Sequence, residues 1–254
     1  SYSACGSAEP PRMRIALISD LHGNDISLRA ALADIDRQGV DETICLGDVA
    51  TLGPRPREVL DTLRERGCRS ILGNHDAFMV DRDLIRSYSE VPIVVDSVDW
   101  CRERLTPDDI AYLAAFATCI TVELGNGVEA LLFHGSPRSH MEDLLATTDA
   151  DELDRCLGET SATLLAGGHT HIQMLRQHRG KLLVNPGSLG MPFKEYVGGR
   201  APQIMPYAEY AIIEADSNGV QVSLRRVSVD KASLRKEAEA SSNPICRALE
   251  QQYA

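Results

Sequence analysis

Residues 13–24 read MRIALISDLHGN: a strand-length apolar run that stops on Asp20-Leu21-His22 and then on Gly23-Asn24. Asn24 suits a helix N-cap, and apolar residues follow at Ile26, Leu28, Ala31, Leu32 and Ile35, one face of a helix closed by Gly39. The same punctuation recurs along the chain. Residues 44–46 run into Gly47-Asp48, 71–72 into Gly73-Asn74-His75-Asp76, 131–133 into His134-Gly135, and 164–166 into Gly167-Gly168-His169-Thr170-His171. The first three runs alternate with helical stretches over short connections, which argues for right-handed crossovers and a parallel sheet. Ligands of open α/β sheets bind beyond the carboxyl ends of the strands, so polar groups at five such ends converge on one place.

The converging groups have a common chemistry. Asp20, Asp48 and Asn74 offer oxygen, while His22, His134, His169 and His171 offer imidazole nitrogen. Seven mixed donors are too many for one tetrahedral zinc ion but suit two ions that share a carboxylate. Of the seven histidines, five (His22, His75, His134, His169 and His171) lie in these segments, leaving His140 and His178 outside. Each piece has a plainer reading alone: Gly47-Asp48 as a turn, Asn74-His75-Asp76 as a helix cap, His134 as a hydrogen-bonded core histidine. Those readings would have to hold separately at five strand ends.

The remaining chain fits one domain over 12–254, preceded by a loose leader over 1–11 with neither the basic nor the apolar region of a secretory signal. Residues 76–116 are helical and less apolar, with a strong start at Thr106-Pro107-Asp108-Asp109, and read as an insertion (about 77–116) over one end of the sheet. Strands follow at 119–124 and 128–133 through Gly125-Asn126-Gly127, then a helix at 149–157 and a strand at 162–166. Two hairpins are expected, 172–177 with 181–184 around Arg179-Gly180, and 209–215 with 220–226 around Asn218-Gly219. A polar helical tail covers about 230–254.

Composition removes several classes. At 254 residues, 43% hydrophobic and 25% charged, the chain can build a core and is not a disordered polymer. A net charge of −11 gives no general attraction to nucleic-acid backbones. No run approaches the roughly 18 apolar residues of a membrane span, so a cytoplasmic protein is expected. The seven scattered cysteines, an odd number without a CxxC pair, do not suggest a disulfide framework.

In combination, D-x-H, G-D, G-N-H-D, H-G and G-H-T-H, spanning Asp20 to His171, resemble the calcineurin-like metallophosphoesterase superfamily. Asp20-Leu21-His22-Gly23-Asn24 and Asn185-Pro186-Gly187-Ser188 resemble its compact bacterial phosphodiesterase subgroup. The resemblance implies a four-layer α/β/β/α sandwich of two mixed sheets flanked by helices, the helical insertion following the third strand. The hairpins after His171 would then belong to the second sheet. It also implies two divalent transition-metal ions, drawn from Mn, Fe, Ni, Co and Zn. Asp20, His22, Asp48 and His171 would hold the first; Asp48, Asn74, His134 and His169 the second, with Asp48 as the bridge. Two such ions about 3.5–4 Å apart lower the pKa of a shared water and clamp phosphoryl oxygens. In the same pattern His75 binds no metal and assists the leaving group as a catalytic residue, with Asp76 placed to orient it.

Departures from the pattern narrow the substrate. Phosphoprotein phosphatases of the superfamily carry GDxVDRG and GNHE, whereas residues 47–53 here read GDVATLG and the later motif is GNHD. The expected substrate is therefore a phosphodiester or small nucleotide-like ester. A dinucleoside polyphosphate or nucleotide pyrophosphate is the alternative, and a non-catalytic metal-binding scaffold a second one, opposed by the intact motif set. Asn24, Lys194 and Arg200 are candidate substrate contacts. Specificity falls to the 77–116 segment and the 193–206 loop. A homo-oligomer remains open, and no membrane partner is expected.

Overall fold

The computed structural model describes residues 13–89, 91–198 and 200–254, so the expected leader over 1–11 lies outside the described residues. β1 (Met13–Ile18), α1 (Asp25–Gln38), β2 (Glu42–Cys45), α2 (Pro56–Glu65) and β3 (Arg69–Ser70) form the opening alternation. α3 (Asn74–Val80), a single 3-10 turn, α4 (Ile85–Tyr88), α5 (Pro92–Arg102) and α6 (Pro107–Ala114) follow. Then come β4 (Ile120–Glu123), β5 (Glu129–Leu132), α7 (Ala150–Leu157), β6 (Leu164–Ala166), β7 (Met174–His178) and β8 (Lys181–Asn185). β9 (Tyr207–Asp216), β10 (Gly219–Ser228), α8 (Lys231–Ala240) and α9 (Cys246–Gln252) close the chain.

Two five-stranded mixed sheets result, in the orders β10-β9-β1-β2-β3 and β4-β5-β6-β8-β7. Strand periodicity explains how they stack. In β1, Ile15 and Leu17 join Ile44, Ile213, Leu132, Leu164 and Val184 in an apolar layer between the sheets. Ala16 and Ile18, on the opposite face, pack against Leu28, Leu60, Val98 and Leu113 of the outer helices. A third cluster, Leu153, Leu157, Leu165 and Leu183, seats α7 on the outside of the second sheet. Three apolar interfaces therefore separate four layers.

The expected hairpins form, but they divide between the sheets. β7–β8 lies in the second sheet as expected, whereas β9–β10 extends the first, with β9 antiparallel to β1. The reason is burial. β9 is apolar on both faces and needs a position covered on both sides, while alternating β10 accepts the exposed edge. Residues 77–116 join the outer helical layer through Phe78, Met79, Val98, Cys101 and Leu113, and the tail does so through Leu234, Cys246, Leu249 and Tyr253. The six cysteines among the described residues are all unpaired. No helix of the described residues is long and apolar enough to cross a membrane.

Candidate metal centre

Each strand end carries its polar residues into tight backbone turns. Asp20, His22, Asp48, His169 and His171 all have positive φ, at 53°, 44°, 58°, 70° and 57°. Non-glycine residues in this region cost on the order of 1 kcal/mol or more each and persist only when the surroundings impose them. Here the surroundings are one another's backbones. The N–H groups of Asp20 and His22 donate to the carbonyls of Gly47 (2.9 Å) and Asp48 (3.0 Å), and that of Gly168 donates to His134 (2.7 Å). The Asn185-Pro186-Gly187-Ser188 loop supplies the remaining props. Asn185 Nδ2 donates to the Gly168 carbonyl (2.8 Å), and Ser188 Oγ donates to the Asp20 carbonyl (2.7 Å).

Two groups of donor atoms converge, Asp20 with His22 and His171, and Asp48 with His134 and His169. His171 Nε2 lies 3.3 Å from Asp20 Oδ1, and His22 Nε2 lies 3.1 Å from His171 Nε2. Asp48 Oδ2 stands between the groups, 3.8 Å from His22 Nε2 and 3.4 Å from His134 Nε2. Asn74 Oδ1 is 3.0 Å from His134 Nε2. All seven residues expected as ligands are thus brought together.

The donor set fits cations. The Nδ1–H groups of His134 and His171 donate to the carbonyls of Leu46 and Met191, both at 2.7 Å, which leaves each Nε2 turned inward. Asp20 Oδ1 is buried with no hydrogen-bond partner. Burial works to raise the Asp20 pKa, but His171 holds it down at about 2; burial likewise opposes charging His134, yet Asp48 raises it to about 10. Burial, reinforced by the facing His171, drives His22 down to about 3. Without a cation, protonated His134 therefore faces Asp48, while, against burial, Asp20 raises His171 above the ordinary imidazole value.

That arrangement fixes the sign of a pH dependence. A metal ion needs neutral imidazole, so loading at pH 8 must displace the His134 proton, whose pKa is about 10. Titration of Mn²⁺ into weakly buffered apoprotein should acidify the solution, and apparent affinity should fall by up to about tenfold per pH unit below that pKa for each proton displaced. Calorimetry in buffers of different ionisation enthalpy measures the proton count.

His75 lies at the border of the two groups, its N–H donating to Asp48 Oδ1 (2.8 Å) and its ring edge-on to His22 at 5.1 Å. Its Nδ1 is buried without a hydrogen-bond partner, and burial lowers its pKa from the ordinary imidazole value. Asp76 does not orient this ring. Its carboxylate accepts from the backbone N–H groups of Asp48 (2.7 Å), Val49 (2.9 Å) and Gly73 (3.0 Å), fixing the loop that presents Asp48. Burial and the Asp48 charge raise Asp76 to about 7.

Asn24 also departs from expectation as a substrate contact. Its Oδ1 accepts from Ser27 N–H (3.0 Å) to cap α1 and its Nδ2 donates to the Gly190 carbonyl (2.9 Å), so both ends of the amide are engaged. Lys194 and Arg200 are exposed, and no hydrogen bond or ion pair among the described residues ties either side chain to the cluster. Thr51 (3.1 Å from His22 Nδ1), Asp143 (3.3 Å from His169 Nε2) and Phe193 (stacked on His171 at 4.2 Å) escaped the sequence reading. They sit in loops, where no periodicity marks a partner. His140 is not among the grouped donors, and His178 pairs with Asp154 (2.7 Å) away from them.

Gly73 shows how tightly the loops fit. A Cβ there would lie 2.1 Å from Asp48 Oδ1 and 2.6 Å from Asp48 N. Gly73→Ala should displace the Asp48 carboxylate by about an ångström. Turnover should fall by roughly 10²-fold with lowered metal content, read by elemental analysis beside kinetics.

The fold and this cluster define a class. The chain belongs to the calcineurin-like phosphoesterase superfamily, whose domain description matches residues 13–215. Among individual proteins, an uncharacterized protein of Methanocaldococcus jannaschii is 26% identical over 193 residues, 70% of this chain and 76% of that protein. A symmetrical bis(5'-nucleosyl)-tetraphosphatase of Hamiltonella defensa is 32% identical over 101 residues, only 35% of this chain and 37% of that one. A metallophosphoesterase from Sphaerobacter thermophilus shares the fold with TM-score 0.73 at 23% identity, over 95% of this chain and 98% of that structure. A hypothetical protein from Pyrococcus horikoshii OT3 does so with TM-score 0.76 at 18% identity, over 94% and 96%.

Proposed function

We propose that this protein is a dinuclear metal-dependent hydrolase of phosphodiesters or small nucleotide-like phosphate esters. The observation that carries this reading is the position of Asp48 Oδ2 between His22 and His134, which joins the two donor groups through one carboxylate. Asp20, His22, Asp48 and His171 would hold one ion, and Asp48, Asn74, His134 and His169 the other. Mixed imidazole and carboxylate donors accept Mn, Fe, Co, Ni or Zn. Once bound, the pair would supply Lewis acidity and an activated water. Asp76 fixes the Asp48 loop. His75 holds a proton beside the reacting ester and gives it to the leaving oxygen, or stabilises the charge that builds there.

A substrate panel tests this reading: bis-aryl phosphates, dinucleoside monophosphates, cyclic nucleotides and mononucleotides, each with Mn²⁺, Co²⁺, Ni²⁺ or Zn²⁺. Turnover that a chelator abolishes and added metal restores is expected. Metal-loaded protein inert on the whole panel would remove the proposal. The partial match to symmetrical bis(5'-nucleosyl)-tetraphosphatases favours a second reading, hydrolysis of a nucleotide anhydride. Dinucleoside polyphosphates in the same panel decide between the two.

A further inference from the structure

The two segments to which specificity falls each send one tyrosine to the rim of the metal cluster. Tyr88, the last residue of α4, is 42% exposed. Its ring lies 5.6 Å from the His75 ring at 78° and 5.2 Å from Phe78 at 41°, so aromatic neighbours hold a ring that is still partly exposed. Tyr196, in the 193–206 loop, is 44% exposed. Its hydroxyl donates to Asp143 Oδ2 (2.6 Å), and Asp143 Oδ1 lies 3.3 Å from His169 Nε2. Phe193, stacked on His171 at 4.2 Å, roots the same loop against the other donor group. One ring thus stands beside the proton donor and the other beside the second donor group.

We propose that Tyr88 and Tyr196 are specificity-determining residues that receive a flat aromatic group of the substrate, a nucleobase or aryl ring, on the leaving side of the ester. The inference rests on the phosphoesterase reading and names its substrate class. Partly exposed tyrosine rings anchored by their neighbours offer rigid stacking area at little entropic cost, and stacking tolerates any planar ring. Burial, then the charges of Asp48, Asp143, Asp20 and Tyr196, push the Tyr88 hydroxyl up to about 12. Charge selects the occupant further. Half-exposed Asp143 is a carboxylate at this rim, and it repels a further phosphate while leaving a neutral ring unopposed.

The test compares a dinucleoside monophosphate with the same diester lacking the base on its leaving-side sugar, so that the bond broken and the leaving oxygen are unchanged. Metal-loaded protein should favour the base-bearing diester by about tenfold in kcat/KM, mainly through KM. Tyr88→Ala and Tyr196→Ala should each bring that ratio toward one, and Tyr88→Phe should keep it, which also controls for folding. A second measurement needs no turnover: calorimetric affinity for a nucleoside 5'-monophosphate against ribose 5-phosphate, expected to differ by a similar factor and to lose the difference in the alanine variants. Turnover with equal preference for both diesters, or a ratio unmoved by both alanine variants, overturns the tyrosine assignment alone. Base-dependent binding without turnover on any substrate removes the hydrolase reading and leaves the assignment standing. Neither turnover nor base-dependent binding removes both.

Discussion

Asp48→Asn is expected to empty both metal positions together and to abolish most turnover. The Asp48 carboxylate oxygen lies 3.8 Å from His22 Nε2 and 3.4 Å from His134 Nε2, within reach of both donor groups. An amide keeps the shape but has no charge to offset two cations. Apparent affinity should therefore fall by more than the roughly 10–100-fold that loss of an outer partner of a metal ligand costs. Elemental analysis and turnover should decline in parallel. Stability of the metal-free protein should change less. Asp48 is what raises His134 to about 10, so without it the imidazole sheds its proton and the site avoids an unpaired buried charge. A variant that lost only one metal equivalent would show that Asp48 serves one position and does not bridge.

His75→Ala should separate chemistry from metal binding. Its only hydrogen bond to the donor atoms runs from the backbone N–H to Asp48 Oδ1 (2.8 Å), and alanine keeps that bond. Metal content should stay near the parent value. Turnover of esters with alkoxide leaving groups should drop by about 10²–10⁴-fold, the usual contribution of a positioned general acid. With nitrophenolate, which departs unprotonated, the loss should shrink. Equal losses on both kinds of substrate would show that the ring stabilises charge on the phosphoryl group instead. Loss of metal would make His75 a ligand.

The motifs announce their chemistry because each lies at the end of an apolar run, and two facts of chain geometry do the rest. Parallel strands present their carboxyl ends on one side, so Asp20, Asp48 and Asn74 had to approach one another once β1, β2 and β3 were recognised. The turn residues Asn126-Gly127 and Arg179-Gly180 adopt positive φ in the hairpins they foretold. Asp76 shows the limit. Its neighbour His75 suggested a partnership, yet its carboxylate caps N–H groups 28, 27 and 3 residues away in sequence.

Sequence by itself determined the strand-and-helix alternation, the two hairpins of the second sheet, and the seven donors of the candidate centre, because these depend on local periodicity and residue type. Only the tertiary structure decided that β9–β10 joins the first sheet. A strand apolar on both faces records its need for cover but not which sheet supplies it. It also decided what surrounds the donors: Thr51 behind His22, the Leu46 and Met191 carbonyls that turn His134 and His171 inward, and Tyr88 and Tyr196 at the rim. These contacts join residues up to 88 positions apart through loops whose paths follow from packing. Loop residues carry no repeating pattern, so their partners become visible only when the layers beneath them have closed.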